Sequence, residues 1–472
     1  ARADAWATAR ADGPAPQAAD EPQPYAVKRT GRNWQGVNDT GSGPSDSTGA
    51  IGTTRYIELV NRKFAIYNRS SNTPLGQGTL QDLTQEPFNI FDPQIMWDPT
   101  TARFYYVADD VVSDTDNRLA FGYSKTASPN TAADFCQYVI PFGSRFPDYP
   151  KLGDTSNLLV IGANSFQGGG GFLGSDLYGI TKPPAGSTCI PPGDFTISLE
   201  FDVQDASGNT FLTPVPANQT DASATGYAVS AARSSGSAVT VFTVTKDANN
   251  FISVGPPRPM AVPAYSTPAS APQKNTTQKV DTLDGRLTQA VSAIDPSRSN
   301  RVAIWTQHTV LGGAGAEVRW YEIDPVPATP VPFQTGKQTD GALFNYNAAI
   351  SPDRRRNGAA ANFGSKHVLF FNTSSSTEFV DIRATAQGGT AGVGTSTLLK
   401  DSSGFISDFT CNTTPSRPFC RWGDYSAATP DPASATTEQS TGAVWGTNAF
   451  TDGTTAGTSA DWRTQNFEVQ PK

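Results

Sequence analysis

Between residues 40 and 470 apolar positions come in short bursts, often alternating with polar ones, and almost nowhere at the i, i+3, i+4, i+7 spacing of an amphipathic helix. Gly, Pro, Asn and Asp separate the bursts, which therefore read as short strands joined by turns. Four stretches share one frame: FDPQIMWDPTTARFYYVADD from Phe91, TQAVSAIDPSRSNRVAIWTQH from Thr288, NYNAAISPDRRRNGAAANFG from Asn345 and DYSAATPDPASATTEQSTGAVWGTN from Asp424. Each runs from a polar head through a short strand, breaks at an Asp and Pro turn, and resumes as a second strand, which is the pattern of a hairpin. A third strand usually follows, as in AEVRWYEIDP, EFVDIRATA and WRTQNFEVQ. Weaker frames start near Thr53, Tyr149 and Thr225.

Repeating β units of roughly 45 to 65 residues predict an all-β chain folded as a seven-bladed β-propeller, with six or eight blades as the alternatives. A β-helix would need a shorter period, and tandem sandwiches would need a linker that residues 40–470 do not contain. The expected division is an extended N-terminal tail over residues 1–39 and the propeller over 40–472, closed by pairing of the two chain ends. The tail is rich in Ala, Pro and Asp and has no sustained periodicity. Small residues in AVSAI, NAAIS and YSAAT suit strands converging on an axis. Their polar heads Asp92, Gln289, Asn345 and Asp424, with Asp46 and Asp148 from the weaker units, are then expected to ring one mouth of a central channel.

Composition narrows the partners. The 472 residues carry 17% charged side chains and a net charge of −8, a balance that disfavours nucleic acid and anionic membrane surfaces. No apolar run approaches the ~18 residues of a membrane span. The one dense basic run, Arg354-Arg355-Arg356, follows SPD and reads as a solvated turn. With four cysteines and two histidines, structural disulfides Cys136–Cys189 and Cys411–Cys420 are expected rather than a zinc site. Disulfides, the weakly charged surface and a chain opening on Ala1 rather than Met together point to a secreted, extracellular protein.

The motifs DPQIMWDPTTARFYYVAD, PDYPKLG and RWGDYSAATPDP, with PSDSTGAIGTTRYIELVNRKFAIYN before them, resemble a group of secreted bacterial β-propellers loosely labelled sialidase-like. The resemblance spans roughly residues 40–470 and implies fold and secretion; it transfers no catalytic residue. Sialidases carry Ser-x-Asp-x-Gly-x-Thr-Trp turns, which are absent here, and three arginines, of which only Arg286 and Arg421 stand at strand heads, with Arg55 a poor third.

Candidate chemistry follows from the channel mouth. A polysaccharide lyase needs a base and a cation to hold the enolate, and Tyr425, Arg421, His308 and Tyr149 are the candidate catalytic residues; a buried structural role competes for His308. Arg286, Asp148 and Trp422 are candidate substrate contacts. Paired aspartates suit a glycoside hydrolase, or Asp92 and Asp424 suit a hard cation such as Ca²⁺. The expected partner is a polysaccharide or glycoconjugate. The reading is a carbohydrate-active enzyme, lyase or hydrolase, at the axial pocket; the alternative is a non-catalytic propeller that binds glycan or protein at a cell surface or assembles with its own copies.

Overall fold

In the computed structural model seven small, almost wholly antiparallel sheets stand around one axis as a seven-bladed β-propeller. The structure describes residues 27, 29–355, 363–388, 396–411, 419–433, 441–453 and 460–471. The inner strands of blades one to seven are Thr48–Ile51, Asn89–Asp98, Arg145–Asp154, Leu212–Pro216, Leu287–Asp295, Phe344–Pro352 and Ala427–Pro430. Apolar faces of neighbouring blades supply the core. Between blades one and two, Ile57, Leu59, Phe64 and Ile66 pack with Ile95, Trp97, Phe104 and Tyr106. Such burial, repeated around the circle, is what an isolated four-stranded sheet cannot achieve.

Ring closure reaches further into the N-terminal region than the boundary at residue 40 allows. Arg29–Gln35 forms the outer strand of blade seven, paired antiparallel with Trp462–Gln470, because the last blade otherwise has three strands and an open edge. A buried carboxylate ties the same joint from inside. Glu58 of blade one accepts from the Val37 amide at 3.1 Å and from Asn466 Nδ2 of blade seven at 2.8 Å, and also from Thr464 Oγ1. Residues 1–26 of the expected tail lie outside the described residues.

Two strand assignments slip. The frames from Thr53 and Thr225 are the second and third strands of blades one and four, not inner hairpins. Their inner strands, TGAI and LTPVP, are too short or too proline-rich to stand out as apolar bursts.

Five inner strands have a residue in the left-handed region just before them or within their first half: Asp46, Asp92, Tyr149, Thr213 and Asn347, with φ between 40° and 63°. In blades two, three, four and six the strand register shifts there, the signature of a β-bulge that re-aims a side chain. In blades one to three the re-aimed residues are the ones that meet at the axis.

Both disulfides, Cys136–Cys189 and Cys411–Cys420, are formed. The arginine run departs from the expected solvated turn. Arg354 is 4% exposed and grips Asp221 through Nε at 3.0 Å and Nη2 at 2.8 Å, because a desolvated guanidinium needs a carboxylate partner. Arg355 is half-buried, and Arg356 lies outside the described residues. No helix among the described residues is long and apolar enough to cross a membrane.

Candidate functional site

At the N-terminal ends of the inner strands the axis opens into a cavity of about 370 Å³. Its wall holds six aspartates, Asp46, Asp92, Asp148, Asp281, Asp284 and Asp424, against three arginines, Arg62, Arg286 and Arg421, with Phe91, Phe146, Tyr149 and Phe419 as apolar surface.

Asp46 is the most enclosed of the carboxylates at 1% exposure. One oxygen accepts the Asp424 amide at 2.7 Å and the other accepts Asn61 Nδ2 at 2.6 Å. Asn61 in turn accepts the Asp92 amide at 2.8 Å. One asparagine on blade one thus fixes two aspartates, one of them on the next blade.

Like charges crowd the base of the cavity, and their titration reflects it. Burial, then Asp424 and Asp92, push the Asp46 carboxyl well above the usual carboxylate range. Burial, then Asp148 and Asp424, push Asp92 up to about 7, although a hydrogen bond with the Asp46 side chain works in the other direction. Burial and neighbouring carboxylates thus push both carboxyls toward their protonated forms.

The arginines are already engaged. Arg421 Nη2 donates to Asp424 at 2.8 Å, and its Nε stands 3.9 Å from Asp281. Arg286 Nε donates to Asp284 at 2.7 Å. Burial works against both cations, but their aspartates outweigh it and hold them firmly charged.

Tyr149 lines the cavity, and its hydroxyl donates to the Asp424 carbonyl at 2.5 Å. Tyr425 lies against it, ring centroids 5.5 Å apart, with its own hydroxyl donating to the Pro93 carbonyl at 2.8 Å. The two rings close the floor. Asp92, Asp109 and Asp148 each bring an oxygen within 4.8 Å of the others, a grouping that could take a hard cation.

Of the residues singled out in the sequence, Asp92, Asp148, Asp424, Arg286, Arg421 and Tyr149 line the cavity. His308 and Trp422 do not. His308 is wholly buried inside blade five, with Nδ1 on the Gly285 carbonyl at 2.8 Å and Nε2 on the Tyr321 hydroxyl at 2.9 Å. Burial holds its pKa down to about 4, so it is a neutral packing histidine out of reach of a ligand. Trp422 is fully buried and donates its Nε1 to Asn372 at 3.0 Å; its bulk anchors blade seven to blade six. Gln289 stands below the mouth, and Asn345 is buried without lining it. Sequence reading passed over Asn61, Asp109, Asp281 and Asp284, and also Lys151, which sits within the quoted PDYPKLG motif.

No family model matches the chain, and no curated relative does. Solved structures share the architecture at a distance. A GH43_1 enzyme from Xanthomonas citri, complexed with xylose, is 10% identical, covers 61% of this chain and 91% of its own, and has a TM-score of 0.32. The hemagglutinin-neuraminidase ectodomain of parainfluenza virus 5 is 8% identical over 80% of this chain and 85% of its own, with a TM-score of 0.42. A subtype N11 neuraminidase-like protein of influenza A/flat-faced bat/Peru/033/2010 is 7% identical over 79% and 98%, with a TM-score of 0.36. At these values the likenesses assign no role to any residue.

Proposed function

We propose that this chain is an extracellular carbohydrate-active propeller whose axial cavity receives a neutral sugar unit, and that it acts there as a glycoside hydrolase. The observation that carries this reading is the gathering of Asp46, Asp92 and Asp148 in the wall of one cavity with aromatic surface. A carboxyl pushed up to about 7 keeps its proton near neutral pH and can deliver it to a glycosidic oxygen. Asp148, with an oxygen within 4.8 Å of Asp92, is the second carboxylate.

An anionic sugar is a poorer fit. Arg286 and Arg421 are each paired with aspartates, and aspartates outnumber arginines two to one on the wall. At Arg286 or Arg421 a uronate or sialate carboxylate would have to displace an existing partner. The same reasoning disfavours a lyase acting on a uronate, and His308, one of its candidate catalytic residues, is sealed inside blade five.

A second reading rests on the grouping of Asp92, Asp109 and Asp148. A Ca²⁺ ion held there would keep Asp92 ionised, and the cavity would then bind glycan without hydrolysing it. The test is to incubate the purified protein with neutral aryl glycosides and oligosaccharides, with calcium or with chelator, and follow reducing ends beside calorimetric binding. Release of reducing ends that Asp92→Asn abolishes supports the hydrolase. Calcium-dependent binding without release supports the second reading. Absence of binding and turnover with every neutral glycan overturns both.

A further inference from the structure

Beneath the tyrosine floor the axis continues as a second, smaller space of about 40 Å³. Its wall is built from the next residues of the same inner strands, among them Gln94, Lys151 and Gln289, so it belongs to the channel and not to the pocket above. Lys151 is 1% exposed. Its Nζ lies 3.6 Å from the ring centroids of both Tyr149 and Tyr425.

Two aromatic faces attract a cation but accept no conventional hydrogen bond from it. Lys151 Nζ has no hydrogen-bond partner, nor do Gln94 Nε2 and Gln289 Oε1, although all three atoms are buried. Such orphaned groups in one small cavity call for a partner, a water or an ion. Burial pushes the Lys151 pKa well below that of a free lysine, and Asp92, Asp46 and Asp424 oppose this through space without forming a bond to it. An ammonium has three donors and no acceptor, and an amide nitrogen adds donors only. The missing partner is therefore chiefly an acceptor.

We infer that this axial space is an anion site in which one small monovalent ion of the halide class, chloride in solution, sits against Lys151 Nζ with Gln94 Nε2 as its second donor. Space of this size holds roughly one such ion with one water, and the water donates to Gln289 Oε1. Phosphate and sulfate are too large, and a carboxylate-bearing ligand would have to pass the tyrosine pair.

The test is thermal unfolding in chloride-free sodium gluconate, titrated with sodium chloride at constant ionic strength, together with anomalous diffraction from bromide-soaked crystals. The expected result is a saturable rise in Tm of the wild-type protein, a flat response of Lys151→Met, and a bromide peak within hydrogen-bond reach of Lys151 Nζ. No chloride-specific shift overturns the assignment. So does bromide found only on the surface, an adventitious ion only, or a light atom in place of bromide at Lys151, a water. If Lys151→Met fails to fold, Gln94→Leu takes its place, and a halide response as strong as wild type with no bromide at the axis also overturns it. None of these readouts depends on sugar binding, so this site and the pocket above stand or fall separately.

Discussion

The Asp424 amide donates to the Asp46 carboxylate at 2.7 Å, joining the inner-strand heads of blades seven and one across 378 positions of sequence. Asp46→Ala leaves that amide and Asn61 Nδ2 without their acceptor in a buried setting. The expected loss is about 2–4 kcal/mol of unfolding free energy, with roughly half that for Asp46→Asn, which keeps one oxygen. Urea denaturation measures both, and an Ala variant as stable as wild type would remove Asp46 from the ring joint.

Asp92 makes the stability of the protein depend on pH. Its folded pKa, pushed up to about 7 by burial and then by Asp148 and Asp424, lies above that of the unfolded chain. Its contribution is therefore complete below about pH 4 and is lost as pH rises through about 7. Asp92→Asn removes that loss, and Asn also tolerates the left-handed backbone at φ 50°. The variant is expected to gain up to about 3 kcal/mol over wild type at pH 8 and little at pH 4. Melting curves across that range check it; a gain of equal size at both ends would contradict the raised pKa of Asp92.

Tyr149→Phe removes the hydroxyl that donates to the Asp424 carbonyl. The expected cost is about 1–2 kcal/mol. Because Asp46 and Tyr149 both hold Asp424, the double variant Asp46→Ala with Tyr149→Phe should fall short of the sum of the single losses by more than about 0.5 kcal/mol. Strict additivity in denaturant titrations would show that the two contacts act on separate parts of the fold.

The Cys136–Cys189 bridge spans 53 residues, and joins blade two to the segment leading into the outer strand of blade three. Loop-closure entropy for that length corresponds to about 4 kcal/mol. Replacing both cysteines with Ala should lower the urea midpoint accordingly and leave the axial cavity intact, since neither cysteine lines it. Loss of glycan binding in a folded double variant would tie this bridge to the pocket.

The blade architecture was legible because the hairpins from Phe91, Thr288 and Asn345 set alternating strands beside Asp and Pro turns, a local signal that survives without tertiary information. Strand heads also located Asp92 and Asp424, whose polarity stands out before small apolar residues. Asp109 and Asn61 were invisible for different reasons. Asn61 sits just beyond the end of its strand and so has no periodic position to betray it, while Asp109 lies inside a strand that is buried on both faces from Arg103 to Asp110 and therefore shows no polar alternation. Lys151 hid in plain view. A lysine in a strand reads as a solvent-facing residue unless the two tyrosines that cover it are already known to meet. His308 erred in the opposite direction, since rarity in the sequence drew attention to a ring that Gly285 and Tyr321 merely hold in place.

A circular wall has one seam, and here the seam runs through the cavity. Asp46 stands on one side and Asp424 on the other, while the strand Arg29–Gln35 carries the same joint at the rim. Pulling blade one from blade seven would load both at once, the rim by shearing paired strands and the hub by prying apart the two heads. A molecule bound across those heads would share the hoop tension and act as a rivet. Occupancy of the axis and mechanical endurance of the ring would then be two measures of one force.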